Sequence, residues 1–168
     1  MTHRLILTRH AKSSWDDPTM DDHDRPLNKR GRAGALDIGE WLNQHDFIPD
    51  LVLSSTAART RETWEIIAGA LPRQAEMKLK RALYLATPEE MLNVLRKVGD
   101  AETVLMLGHN PGIALAASAL AANPPHHPRF PHYPTAATTV FQFDINDWGQ
   151  VTWGSGDVLA FTLPRGEE

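Results

Sequence analysis

The sequence predicts an α/β fold, a three-layer α/β/α sandwich with a mostly parallel central sheet, and three observations carry that prediction. Short apolar runs recur at Leu5–Thr8, Asp50–Ser54 and Thr103–Leu107, the pattern of strands buried on both faces. Each run leads on to a stretch with helical spacing, and alternating strands and helices favour parallel strands with helices packed against the sheet. The chain has 168 residues, 42% hydrophobic and 23% charged, enough for one substantial core and too few for two full domains. Residues 1–168 are therefore expected to form a single domain.

Leu5-Ile6-Leu7-Thr8 is the first strand. After an acidic, turn-rich stretch from Asp16 to Pro26, apolar residues recur at helical spacing (Ala35, Leu36, Ile38, Leu42) from Leu27 to about His45. The second strand follows Pro49, and Ser55 or Thr56 is placed to cap a helix reaching about Leu71. Lys78–Leu85 reads as a weak extended segment, and Pro88–Val98 as a helix capped by Thr87. The third strand leaves through Gly108-His109-Asn110-Pro111-Gly112, a cap residue and an N1 proline ahead of an Ala-rich helix. Asn123–Pro134 holds five prolines, so it cannot be helix or central strand and is expected to be an ordered loop or lid. Thr138–Asp144 alternates like a strand, and Val151–Trp153 and Val158–Phe161 are expected as closing strands at the sheet edge.

Composition narrows the function. Seventeen Lys and Arg against 21 Asp and Glu give a formal charge of −4, which offers no broad attraction to nucleic acid or an anionic membrane. Any anion must be caught by a few placed cations. The absence of cysteine excludes disulfides, thiolate nucleophiles and Cys-based zinc or iron–sulfur centres. The opening MTHRLILTRH is too poor in apolar residues for a signal peptide or membrane span, so a cytoplasmic protein with no nucleic-acid or membrane partner is expected.

Arg9-His10 lies just after the first strand, Arg59 in the first turns after the second, and His109 just after the third. The carboxyl ends of parallel strands line the ligand crevice of such sheets, so residues distant in sequence can converge there. Two guanidiniums offer planar donor forks to a tetrahedral phosphate, and the helix starts near Ser55 and Asn110 add backbone N–H groups. A neutral imidazole beside guanidiniums stays unprotonated and nucleophilic, so His10 can attack phosphorus while His109 donates to the equatorial oxygens. The chain has no GxxxxGK[ST], no GxGxxG after a strand and no GxSxG, the devices of nucleotide hydrolysis, dinucleotide binding and serine hydrolysis. No metal or cofactor is expected.

Four segments carry a resemblance to a known family. Thr8-Arg9-His10-Ala11 resembles the RHG signature of the histidine phosphatase superfamily, which includes the cofactor-dependent phosphoglycerate mutases, with Ala11 in place of the usual glycine. Arg25-Pro26-Leu27-Asn28-Lys29-Arg30-Gly31 is similar to its RPLTxxG segment, Ser54–Thr63 to its SSxxxRxxxT segment, and Gly108-His109-Asn110-Pro111 to its GHNP. The motifs stand in the family's order over residues 5–115, and RHAKSSW most resembles the SixA-like branch, which dephosphorylates phosphohistidine on signalling proteins. The resemblance implies a phosphoglycerate-mutase-like fold and a metal-independent phosphatase. It makes His10 the phosphorylated nucleophile, with Arg9, Arg59, His109 and Asn110 completing the phosphate pocket. Many members also carry a glutamate proton donor between the second arginine and the second histidine, yet Lys80–Leu85 holds no acid. Glu89 is the candidate substitute, with Glu90 beside it, although both fit ordinary helix-start carboxylates. Phosphohistidine leaves as an imidazole, a weaker base than an alkoxide, so the gap favours an N–P bond as substrate.

Other features have simpler readings. Arg61 is a solvated helix residue and second choice to Arg59, and Ser13 and Ser14 serve turn hydrogen bonding or phosphate equally well. The Asp16, Asp17, Asp21, Asp22, Asp24 run reads as solvated loop charge, with Arg25 as a possible partner. His126, His127 and His132 match no zinc spacing and read as surface loop or substrate-facing lid. Two rival functions remain: a non-catalytic phospho-ligand binding module, and a phosphoglycerate-type mutase, for which the chain lacks a donor acid and large insertions.

Overall fold

The computed structural model describes residues 1–167. Six strands form one sheet: β1 (Thr2–Arg9), β2 (Leu51–Ser54), β3 (Glu76–Leu79), β4 (Thr103–Gly108), β5 (Thr138–Asp144) and β6 (Asp157–Thr162), in spatial order β3-β2-β4-β1-β5-β6. The sheet is mixed. β3, β2, β4 and β1 are parallel, as short apolar runs joined by helices require, while β5 and β6 add as an antiparallel edge.

Side-chain alternation along the central strands divides the core into two layers. Ile6, Val52, Leu105, Leu107 and Val140 face α1 (Lys29–Gln44) and α2 (Ala58–Gly69). Leu5, Leu7, Leu53, Val104, Met106 and Phe141 face α3 (Pro88–Arg96) and α4 (Gly112–Leu120). Each fully buried Leu or Ile contributes about 1.5–3 kcal/mol, and the two layers hold the strand ends in one plane.

Several boundaries differ from expectation. The first helix starts at Lys29 because the Asn28 side chain accepts from Gly31 N at 2.8 Å. The second starts at Ala58, with neither Ser55 nor Thr56 as its cap residue, because Ser55 Oγ serves the turn by accepting from Ala57 N at 3.2 Å. Glu76–Leu79 pairs with β2, and the chain then tightens into a 3₁₀ turn at Arg81–Leu83, so the extended segment ends before Leu85. The Ala-rich helix begins at Gly112 with Pro111 at its cap position. Val151–Trp153 is not a strand: it follows a 3₁₀ turn at Trp148–Gln150, and the Val151 carbonyl accepts from Arg96 Nε at 2.9 Å. Thr87 caps α3 as expected, in a capping box with Glu90.

Gly31 shows how tightly the loop after β1 seats on α1. A Cβ there would lie 2.0 Å from the Lys12 carbonyl oxygen, whereas one at Gly69 would meet nothing within 4 Å. Gly31→Ala is expected to destabilise by about 3 kcal/mol or more, and Gly69→Ala to be neutral or stabilising by up to about 1 kcal/mol. Urea unfolding of both variants checks this, and equal stabilities would contradict the packing described.

Candidate active site

Strand register assembles the site. Arg9 is paired with Gly108 and Ser54 with Leu107, so the ends of β1, β4 and β2 lie side by side. The residues that follow them, His10, His109 and Ser55, are thereby neighbours. His10 N donates to Gly108 O at 3.1 Å, and His10 O accepts from Ala136 N at 3.0 Å. Thr63, on α2, ties the second arginine to this turn: its Oγ1 accepts from Ala11 N at 3.0 Å and donates to Arg59 O at 2.7 Å. Arg9, His10, Arg59, His109 and Asn110 line one open cavity of about 530 Å³, with the exposed side chains of Lys12, Trp15 and Leu85 also on its wall.

Hydrogen bonds assign the proton on each imidazole. His10 Nδ1 lies 2.7 Å from Ala11 O, and a carbonyl only accepts, so the proton is on Nδ1 and the lone pair on Nε2. Arg59 Nη2 donates to His109 Nδ1 at 3.2 Å, so His109 carries its proton on Nε2, 2.8 Å from Ser55 Oγ. The two rings lie 5.3 Å apart and are 6% and 2% exposed. Burial pushes the pKa of His10 well below its ordinary value, and Arg9, His109 and Arg59 add to this against the Ala11 hydrogen bond. Burial and the Arg59 charge lower His109 to about 3. Both imidazoles are neutral at physiological pH, the state a nucleophile requires, and His109 keeps a single N–H, on Nε2.

The arginines are anchored yet keep donors. Arg9 Nη1 donates to Tyr133 O at 3.3 Å, and burial followed by the Arg59 charge lowers its pKa. Arg59, 3% exposed, donates to Asp22 O at 2.7 Å and to Asp22 Oδ2 at 3.0 Å. The Nε groups of both arginines are buried without a hydrogen-bond partner among the described residues. Unpaired buried N–H groups on two adjacent cations suit an oxyanion.

The structure sorts the other sequence candidates. Asn110 reaches the cavity wall, but its Nδ2 donates to His132 O and Tyr133 O at 2.9 and 3.1 Å, so its side chain holds the proline-rich loop. That loop is ordered and anchored: Phe130 and Tyr133 are buried, Tyr133 Oη donates to Leu7 O at 2.6 Å, and none of residues 123–134 is among those lining the cavity. Glu89 is exposed on α3 and is not among the cavity-lining residues, and Glu90 serves the Thr87 cap, which lowers its pKa. Ser13 accepts from Arg25 at 2.8 Å and Ser14 from Asp16 N at 3.1 Å, the turn role. Arg61 bonds to Thr56 O at 3.1 Å. Among the described residues no group of three or more His, Asp or Glu side chains is placed to hold a metal ion, and no helix is long and apolar enough to cross a membrane.

Two participants were not legible as such. Asp22 belongs to the acidic run read as solvated charge, yet it binds Arg59, and Tyr84 Oη donates to its Oδ2 at 2.6 Å. Tyr84 also sets its ring edge-on to His109 at 5.4 Å. The only available signal was the expected pairing of Arg25 with this run. Arg25 does pair with Asp22, at 3.1 Å, and stacks over Trp15 at 3.5 Å.

The chain is similar to known proteins in sequence and in fold. The sequence profile of the histidine phosphatase superfamily (branch 1) matches residues 5–84. An uncharacterized chloroplastic protein of Arabidopsis thaliana is 38% identical over 130 residues, which cover 71% of this chain and 60% of that protein. The SixA structure of Nakamurella multipartitia superposes with a TM-score of 0.85 at 28% identity, covering 98% of both chains. A protein histidine phosphatase SixA complexed with tungstate shares the fold, with a TM-score of 0.78 at 20% identity over 96% of this chain and 97% of that one.

The depressed histidine pKa values have a measurable consequence. A histidine in the unfolded chain titrates near 6.5, whereas His109 in the fold titrates at about 3, so on acidification the unfolded state binds protons first. Stability held by neutral His109 is fully present above pH 6.5 and is lost as the pH falls from there toward 3, by up to about 1.4 kcal/mol per pH unit. His10 acts in the same direction. Urea unfolding between pH 7.5 and 4.5 is expected to show a shallower decline for His109→Gln than for wild type; parallel declines would contradict a buried, neutral His109.

Proposed function

The chain belongs to branch 1 of the histidine phosphatase superfamily and is a phosphatase of that family, and on that premise we propose that it hydrolyses phosphohistidine on a protein through a covalent phospho-His10 intermediate. The observation that carries the proposal is the tautomer of His10: its Nδ1–H is engaged by the Ala11 carbonyl, and Nε2 makes no hydrogen bond among the described residues. Nε2 attacks phosphorus, the bond to the leaving nitrogen breaks, and the substrate imidazole, protonated from solvent on its other ring nitrogen, departs neutral. Water then attacks the phosphoryl group on Nε2, releasing inorganic phosphate and restoring neutral His10. Arg9 and Arg59 bind the equatorial oxygens throughout, and His109 stabilises the charge that builds on them by turning its Nε2–H from Ser55 Oγ to a phosphoryl oxygen.

The choice of an N–P bond is supported by what surrounds the cavity. Asp16, exposed on the acidic loop, is the one carboxylate on its wall among the described residues. Asp22, nearby, is held ionised: burial raises its pKa, but hydrogen bonds from Tyr84 and Arg59 and the Arg59 charge outweigh that and keep it far below the carboxylate range. A phosphohistidine leaving group makes the least demand on a general acid. The 28% identical structure from Nakamurella multipartitia carries the name of a phosphohistidine phosphatase, SixA, which points the same way. In this reading residues 1–168 act as one catalytic domain in the cytoplasm, on a phosphohistidine-bearing signalling protein, with no metal or cofactor.

A phosphohistidine-bearing protein and p-nitrophenyl phosphate, each assayed with chelator for wild type and His10→Ala, test the proposal. Wild type is expected to cleave phosphohistidine at least tenfold faster than the ester, and His10→Ala to lose about a thousandfold or more of turnover while still binding phosphate. Faster cleavage of the ester would reassign the substrate to a small phosphomonoester with a general acid. Tight binding without turnover in wild type would make the chain a phospho-ligand binding module.

A further inference from the structure

Asp22 lies outside every sequence motif, in a 3₁₀ turn at Asp22–Asp24 on the acidic loop. Its carboxylate is nonetheless where Arg59 and Tyr84, from distant segments, meet Arg25 of the same loop. Oδ2 accepts from Arg59 Nη2 at 3.0 Å and from Tyr84 Oη at 2.6 Å. Oδ1 accepts from Arg25 Nε at 3.2 Å and Nη2 at 3.1 Å, and the Asp22 backbone carbonyl accepts from Arg59 Nη1 at 2.7 Å. The turn itself is docked on the start of α2 by His23, whose Nε2 lies 2.8 Å from Thr56 Oγ1.

A guanidinium has five N–H donors in a rigid fork. In Arg59, Nη1 and Nη2 each direct one hydrogen to Asp22, and Nη2 directs its other to His109 Nδ1. Among the described residues Nε–H is buried and unpartnered, and Nη1 makes a single hydrogen bond, which leaves its second hydrogen. The terminal edge of the fork is thus clamped, while donors remain for an oxyanion. Asp22 itself has both carboxylate oxygens occupied by two donors each and does not line the cavity, so it neither touches the phosphoryl group nor supplies a proton.

We infer that Asp22 is the positioning residue for Arg59: it holds the guanidinium end-on so that the remaining donors are aimed before the phosphoryl group arrives. An arginine left to sample its rotamers would have to be ordered at every binding event, and preorganised donors avoid that cost. Tyr84 extends the device, because the hydroxyl that meets Asp22 belongs to the ring packed edge-on against His109. The same carboxylate therefore connects both partners of His10. The inference rests on Arg59 being an oxyanion ligand, as the phosphatase reading requires.

The test is a double-mutant cycle on Asp22→Ala and Arg59→Ala, with Asp22→Asn as the conservative variant, circular dichroism confirming that each is folded. The readouts are kcat/KM on p-nitrophenyl phosphate and, independently of turnover, calorimetric binding of inorganic phosphate. Asp22→Ala is expected to lower kcat/KM by about ten- to a hundredfold and weaken phosphate binding by about tenfold, with partial recovery in Asp22→Asn. In the Arg59→Ala background, Asp22→Ala should cost nothing further. Full additivity with Arg59→Ala overturns the inference, because Asp22 then acts independently of that arginine. Tighter phosphate binding in Asp22→Ala also overturns it, since the carboxylate would then be a charge that repels the ligand. A wild type that binds phosphate but turns nothing over defeats the phosphatase reading alone, and the binding arm of the cycle still decides the role of Asp22.

Discussion

The parallel pairing of β1 with β4 is the constraint on which the site depends. Its register sets Arg9 beside Gly108, so the residues leaving the two strands, His10 and His109, have ring centroids 5.3 Å apart although about a hundred positions separate them in the chain. Side chains alternate along a strand, so a slip of one residue would turn Leu5, Ile6 and Leu7 to the wrong layers and move His10 by about 3.3 Å. The hydrophobic alternation that fills both core layers therefore also sets the distance between the two imidazoles.

Concentrating two guanidiniums and two imidazoles at the carboxyl ends of the central strands has an electrostatic consequence that the protein uses. Like charge and burial together make protonation of the histidines unfavourable, and each arginine lowers the proton affinity of its neighbours. One carboxylate, Asp22, offsets part of that charge from behind Arg59 without occupying the cavity. The site is thus poised for an anion while both imidazoles stay neutral.

The loops around the cavity are scaffolding more than covers. Arg25, stacked on Trp15 and bonded to Ser13, Ser14 and Asp22, joins the turn after the nucleophile to the acidic loop. The proline-rich loop presents the Tyr133 carbonyl to both Arg9 and Asn110. Leu85, Tyr133 and Ala136 adopt positive φ at 51°, 48° and 62°, a conformation that costs a non-glycine residue about 1 kcal/mol or more. All three reach the site: Tyr133 through its carbonyl to Arg9, Ala136 through its N–H to His10, and Leu85 on the cavity wall. Such strain is sustained because buried neighbours over-determine the backbone there.

Much of this was legible from local pattern alone. Apolar runs and helical spacing located the buried strands and helices, and residues that follow strand ends, Arg9, His10 and His109, could be assigned to one crevice because parallel sheets place those ends together. Arg59 was legible through the resemblance of Ser54–Thr63 to the family's SSxxxRxxxT segment, and Thr63 joins Arg59 to the turn after the nucleophile. What tertiary structure decided is whatever depends on contacts between segments without periodicity. Asp22 looks like any other member of an acidic run until Arg59, Arg25 and Tyr84 converge on it, and Val151–Trp153 has strand-like composition but no partner strand to pair with. Asn110 has the chemistry of a helix cap, but its Nδ2 donates to carbonyls of the proline-rich loop, and its Oδ1, the atom a cap would use, has no hydrogen-bond partner among the described residues. Periodicity encodes which face of an element is buried, so a sequence determines layers and strand ends by itself; a side chain's hydrogen-bond partner depends on which loops pack beside it, and only the folded chain supplies that.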